Sequence, residues 1–242
     1  MIDSRARPNM RVSIHQPNFL PWIGYFGKIL KSDVFIFLDD VQIQRTAGSW
    51  TNRVKILSGG SPKWLTAPIK RPSGMTQTIS NTEFAEDGWV LRCKSDIKNS
   101  YRKAPHFKEI TKLLDEIFQS SPQYLAEFNQ TVILKMLHFL QLPSPIIKIS
   151  SDFKVSSTST DRLVDLILSV NGDEYLCGRG SDSYLEPGKF SKAGIKLTMQ
   201  VSTETPYSQI GVSEFIPGLS IIDALMMTGP QNVRRLLSES VN

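Results

Sequence analysis

Short apolar runs of strand length alternate along this chain with stretches of helical period, and the alternation predicts a β-α-β start. Residues 11–15 (RVSIH) read as a short buried strand. Gln16-Pro17-Asn18 breaks that pattern, and Pro21 opens a helix through about Lys31, since its fixed φ suits a first helical turn. The run Asp33-Val-Phe-Ile-Phe-Leu38, bounded by Ser32 and by Asp39-Asp40, is expected to be a second buried strand. Crossovers of this kind are almost always right-handed, so the two strands should lie parallel in one sheet.

Two strands, Asn52–Leu57 and Lys63–Pro68, follow as a hairpin joined by a glycine-bearing loop over 58–62. Helices are expected from Trp89 to about Asn99 and from Phe107 to Phe118, broken near Ala104-Pro105 because the residue before proline avoids the helical region. Ser121-Pro122 supplies a cap and a first-turn proline for a strongly apolar helix from Gln123 to Gln141. A second α/β stretch places a strand at Ile146–Ile149 and a helix capped by Ser159 or Thr160 and ended by Asn171-Gly172. Further strands are expected at Glu174–Cys177 and Ile195–Met199. Ser220 caps a short helix through Met227, and Gly229-Pro230 separates it from a last helix near Gln231–Leu237. The expected fold is α/β, a Rossmann-like, mostly parallel sheet flanked by helices with an attached β-hairpin. It forms one domain over 1–242 with a helical insertion at about 89–141.

Composition changes this picture little. With 242 residues, 40% hydrophobic and 21% charged, the chain can bury a large core without staples. Cys93 and Cys177 lie far apart outside any C-x-x-C pair, which fits reduced thiols; no metal ligand set is expected. The basic N-terminus is followed by no apolar segment and no stretch approaches a spanning helix, so a cytoplasmic protein without a membrane span is expected. Net charge is +5 and pI about 9.2. The excess gathers between Arg92 and Lys112, where an anionic partner, nucleic acid included, competes with the simpler reading of a solvated basic helix.

Candidate chemistry falls on three polar loops that follow strands, because ligands of parallel sheets bind outside the carboxyl ends of the strands. These are His15-Gln16-Pro17-Asn18, Asp39-Asp40-Val41-Gln42 and Gly178-Arg179-Gly180-Ser181. His15 is the candidate for proton transfer, its ordinary pKa lying near neutrality. His138 belongs to an apolar helix and His106 to the basic segment, so both read as structural. Asp39 and Asp40 can orient an amine or hold Mg²⁺ with a nucleotide phosphate. Arg53, in Thr51-Asn52-Arg53, can clamp a phosphate or carboxylate, and the Gly178–Gly180 loop can form an anion nest. No Walker A, G-x-G-x-x-G, G-x-S-x-G or H-E-x-x-H sequence is present, so the common nucleotide-binding, hydrolase and metalloprotease signatures are missing.

The run Ile14-His-Gln-Pro-Asn-Phe-Leu-Pro-Trp-Ile-Gly-Tyr-Phe-Gly-Lys-Ile29, with Ser32–Gln42 and Thr51-Asn-Arg53, closely resembles the WbqC-like family. Trp64-Leu-Thr66, Tyr101–Pro105, Tyr175–Gly178, Tyr184-Leu185, Glu214–Asp223 and Gly229-Pro230 extend the likeness over nearly the whole chain. The resemblance implies a setting in bacterial O-antigen and surface-polysaccharide gene clusters and modification of an amino sugar. By that resemblance the site residues are His15, Gln16, Asn18, Trp22, Tyr25, Lys28, Asp39, Asp40, Gln42, Thr51, Asn52 and Arg53, joined by Glu214 and Asp223. Cys93 stands where the family leads one to expect a histidine. A looser similarity links Pro17 and Pro21-Trp22-Ile-Gly24-Tyr25 to the H-x-G-H turn of nucleotidylyltransferases, with both histidines replaced, and carries a fold hint alone.

Three functions are therefore in play. The first is amide formation on a nucleotide-linked amino sugar from an activated acyl or aminoacyl donor, with His15 as base and Arg53, Lys28 or the Gly178–Gly180 loop at the phosphates. The second is an ATP-using nucleotidyl transferase or adenylate-forming ligase, for which Mg and ATP would be cofactors. The third is a non-catalytic binding module acting through the basic segment.

Overall fold

The computed structural model describes residues 9–44, 50–72, 76–119, 123–178, 185–200 and 204–241. The chain divides into two compact units, one from Met1–His15, Lys28–Leu38 and Ser144–Val201, the other from Gln16–Gly27, Asp39–Pro143 and Ser202–Asn242. The expected cap at Ser121-Pro122 lies outside the described residues.

The first unit is a five-stranded parallel sheet ordered β5-β2-β1-β6-β7, so the expected Rossmann-like α/β class is observed. Its strands are β1 (Arg11–His15), β2 (Val34–Phe37), β5 (Ile146–Ile149), β6 (Glu174–Gly178) and β7 (Lys196–Gln200). Strand alternation explains its packing. Val12 and Ile14 of β1 and Val34 and Ile36 of β2 join Leu163, Val164, Leu166 and Ile167 of helix α5 (Ser159–Ser169) in one buried cluster. A one-residue slip would carry this whole set to the opposite face, which fixes the register Val12↔Val34 through His15↔Phe37. Helix α5 ends where Asn171 takes a positive φ of 56°, as the Asn-Gly signal predicts. Gly172 then passes so close to β1 that a Cβ there would lie 2.4 Å from Val12 Cγ2. The short helix α6 (Pro187–Lys192) was not anticipated, nor was the single 3-10 turn at Ser150–Asp152; the signals of α6 are a proline at its first turn and Gly194 with a φ of 72° just after it.

The second unit holds the hairpin of β3 (Arg53–Ser58) and β4 (Ser61–Thr66). Its turn is tighter than the loop expected over 58–62: Gly59 and Gly60 both have positive φ, 59° and 76°, and close a two-residue turn whose twist matches the strands. Ser61 and Pro62 therefore belong to β4. Helices α2 (Trp89–Tyr101), α3 (Phe107–Gln119) and α4 (Leu125–Phe139) occupy the expected helical stretch and part near Ala104. Phe19, Phe84, Trp89, Phe118 and Phe128 interlock as an aromatic core with ring centroids 4.5–6.1 Å apart. The last helix, α7 (Ile221–Val241), breaks at Gly229 (φ 79°, ψ 168°) before Pro230, giving the two pieces the sequence predicts. The His106 ring sits against that break, where a Cβ on Gly229 would meet its Cε1 at 2.5 Å.

Among the described residues no helix is long and apolar enough to cross a membrane.

Candidate functional site

In the first unit, β1 has β2 on one side and β6 on the other. The chain runs from β1 outward to β2 and β5, then crosses back to build β6 and β7 on the far side. That reversal makes the carboxyl ends of β1 and β6 a topological switch point, the place where parallel sheets open a crevice for ligands. His15 is the last residue of β1, half-buried, paired in register with Phe37, and its carbonyl accepts a hydrogen bond from Leu38 N at 2.9 Å. Gly178 ends β6, also half-buried; Arg179 and Gly180 lie outside the described residues. Lys28 is 4% exposed and donates from Nζ to Ile14 O at 3.1 Å. Desolvation brings its ammonium down to about 8, opposed by the Cys177 charge. A lysine so placed braces β1 from its own carbonyl.

In the second unit, the segment after His15 is fastened at almost every residue. Tyr25 Oη donates to Gln16 O at 3.0 Å and Thr51 Oγ1 to Gln16 Oε1 at 3.3 Å. Asn129 Nδ2 donates to both Pro17 O (2.8 Å) and Thr51 O (2.7 Å). Phe19 N donates to Trp50 O, Ser220 Oγ to Leu20 O and Ile221 N to Pro21 O. Asn18 is buried, and a backbone hydrogen bond from it partly offsets the burial that pushes the Tyr25 phenol well above its usual range. Such a loop is preorganised: its polar groups are held by the fold before any ligand arrives.

The remaining expected residues take varied places. Asp39 is buried and its carbonyl accepts Ser80 N at 2.8 Å; Asp40 is half-buried. Gln42 is exposed and bridges to Thr78. Asn52 is buried, its Nδ2 donating to Ala67 O at 3.0 Å across the base of the hairpin. Arg53 lies over the Trp64 ring, Cζ 4.1 Å from the centroid. Trp22 packs edge-on against Tyr25 at 5.8 Å. Glu214 is exposed. Cys93 is buried and its thiol is pushed up to about 12, first by burial and then by the Asp96 charge, so it is an inert thiol. Within the basic stretch, Arg92 pairs with Glu86 and Lys94 with Asp115, which neutralises part of the excess. Among the described residues no three His, Cys, Asp or Glu gather as a metal site.

Asp223, expected from the resemblance, is wholly buried at the centre of a network that sequence reasoning missed. Oδ1 accepts from Tyr101 Oη at 2.8 Å; Oδ2 accepts from Tyr207 Oη at 2.8 Å and Gln209 Nε2 at 3.1 Å. Tyr101 Oη in turn accepts from Leu57 N at 2.9 Å. Burial raises the Asp223 carboxyl despite these donors, and both phenols are raised by burial and by its charge. Asn129 was missed as well; a fully buried amide inside the apolar helix α4 was its only signal.

The architecture defines the class: a Rossmann-like α/β protein whose polar loop leaves a strand at the switch point. The chain belongs to the WbqC-like protein family, whose model matches residues 16–235. It is similar to a protein of Mycobacterium tuberculosis (strain ATCC 25618 / H37Rv) named "Uncharacterized protein Rv1507c", 28% identical over 223 residues, or 91% of this chain and 95% of that one. No solved structure gives a significant match.

Proposed function

We propose that this protein is a transferase that forms an amide on a nucleotide-linked amino sugar, using an activated acyl or aminoacyl donor, in bacterial surface-polysaccharide synthesis. The observation that supports it most is the position of His15 at the end of β1 beside the switch point, followed by a loop whose hydrogen bonds are already made. Transfer needs one base. The sugar's amine attacks the donor carbonyl while an imidazole nitrogen of His15 accepts the amine proton. Collapse of the tetrahedral intermediate breaks the bond to the donor's leaving group, and the imidazolium returns the proton to it. Asp39 or Asp40 is assigned to orienting the amine, and Arg53 to a phosphate. A cytoplasmic setting for the reaction is supported by the two cysteines, Cys93 and Cys177, which are buried as reduced thiols.

The test is direct. Purified protein is mixed with an amino-sugar nucleotide and a panel of thioester and aminoacyl donors, and products are read by mass spectrometry. A new mass equal to sugar nucleotide plus acyl group, absent with His15→Asn, is the expected result. No acylated product from any donor would remove the proposal, and pyrophosphate release from Mg-ATP would redirect it to an adenylate-forming ligase.

A further inference from the structure

Three of the chain's four tryptophans stand in one row on the second unit. Trp22 and Trp50 have ring centroids 5.5 Å apart, and Trp50 and Trp64 5.4 Å apart, tilted by 56° and 60°. The fourth, Trp89, is buried in the aromatic core. Packing does not explain the row equally well, because Trp22 and Trp50 are only half-buried and Trp64 is 37% exposed. Indoles kept partly in water at this density mark a surface built to receive a flat or apolar ring.

Charge narrows the ligand. Arg53 and Lys55 alternate along β3 and so share one face of the hairpin with Trp64, the residue paired with Lys55. The Arg53 guanidinium carbon is 4.1 Å, and the Lys55 ammonium 5.3 Å, from the Trp64 centroid. Neither cation has a carboxylate partner among the described residues, and Arg53 Nε is buried with no hydrogen-bond partner there. Nearby lysines differ: Lys63 pairs with Asp96 at 2.7 Å and Lys70 with Glu83 at 2.6 Å. Half-buried cations without anions are costly, and a guanidinium lying over an indole keeps N–H donors at its edge for an incoming oxyanion.

We propose that the Trp22–Trp50–Trp64 row with Arg53 and Lys55 is a binding site for a nucleoside diphosphate, the base stacking on the exposed indole and the phosphates meeting the two cations. This rests on the sugar-nucleotide reading above and deepens it by assigning the nucleotide end of the substrate. A nucleic-acid strand fits less well, since backbone tracking needs a longer run of cations than these two.

The experiment is a titration of the whole chain with UDP and with TDP, followed by tryptophan fluorescence and calorimetry, with uridine, inorganic pyrophosphate and a twelve-residue oligouridylate as comparisons. Binding of the diphosphates that quenches fluorescence, exceeds that of uridine and of pyrophosphate, and weakens by roughly five- to a hundredfold in Trp64→Ala supports the proposal. Arg53→Gln should weaken UDP at least tenfold and uridine hardly at all. Melting curves check that each variant folds; should Arg53→Gln fail to fold, Lys55→Gln carries the same comparison. Unchanged UDP affinity in folded Trp64→Ala and Arg53→Gln would overturn the site and leave the transfer reaction standing. Binding of no nucleoside diphosphate would overturn both. Oligouridylate binding far tighter than UDP would overturn it in favour of a single-stranded nucleic acid. UDP binding that needs Trp64 and Arg53, with no acylated product in the transfer assay, would keep the site and remove the reaction.

Discussion

Tyr101→Phe removes a single oxygen, and the network around Asp223 says what that oxygen is worth. Its hydroxyl accepts the Leu57 N–H at 2.9 Å and donates to Asp223 at 2.8 Å, with Leu57, Tyr101 and Asp223 all at 0% exposure. Without it the Leu57 N–H is left unpaired in a dry interior, at a cost of about 1–3 kcal/mol, and the carboxylate loses one of three donors, about 1.5–3 kcal/mol for a charged acceptor. The expected loss at pH 7 is therefore about 3–5 kcal/mol, a large share of a typical domain's 5–15 kcal/mol. Urea unfolding should show a lower midpoint with an unchanged slope. The pH dependence gives a second readout. Burial already lifts the Asp223 carboxyl above its ordinary value while the Tyr101 hydrogen bond pulls it down, so the variant's carboxyl lies higher still. An acid whose folded pKa exceeds its unfolded pKa contributes more stability as pH falls through the folded value, because the folded state then binds more protons. The deficit of Tyr101→Phe should consequently shrink as the pH is lowered from neutrality. A loss below about 0.5 kcal/mol, or a deficit that grows on acidification, would refute this account.

Lys28→Met tests the buried ammonium: holding Lys28 near 8 rather than 10.5 costs on the order of 3 kcal/mol below pH 8, a penalty relieved as pH rises toward 10.5. Part of that is offset by the lost bond to Ile14 O, so we expect a gain of about 1–2 kcal/mol at pH 7 and a flatter stability curve between pH 8 and 10.5; a variant that keeps the wild-type slope contradicts it. Gly229→Ala would force a side chain into a φ of 79° and into the His106 ring. A loss of about 2–4 kcal/mol is expected, partly restored by adding His106→Ala, and thermal melting of the single and double variants decides the matter. Gly172→Ala should destabilise the parallel sheet by about 1–3 kcal/mol because its Cβ would collide with Val12 and Ile167, an effect that Val12→Ala would relieve in calorimetry.

Much of the fold was legible because its signals are local. Apolar runs at 11–15 and 33–38, the Asn171-Gly172 stop and the Gly229-Pro230 break each dictate backbone geometry within a few residues. Helix α6 escaped notice because six residues give too short a pattern for periodicity to register, leaving its proline and glycine as the only signals. The tight hairpin turn was blurred by Ser61 and Pro62, loop-favouring residues that instead join an edge strand where a missing N–H does no harm. The site divides in the same way. His15 and Gln16 are visible as a polar break after a strand, whereas Tyr101 and Asp223 meet across 122 positions and Asn129 and Pro17 across 112. Nothing local distinguishes a tyrosine that will hydrogen-bond a buried carboxylate from one that will face solvent.

The pairing Val34↔Ile146 has a consequence for how the protein is made. β1 and β2 leave the ribosome first, yet their sheet neighbours β5, β6 and β7 follow only after more than a hundred further residues have been synthesised. Throughout that interval both margins of the early strand pair carry bare amides and carbonyls, open to mispairing with any extended chain nearby. Closure must await the synthesis of β5, β6 and β7, so this is a sheet that assembles late and slowly, with the early strand pair exposed to aggregation until then.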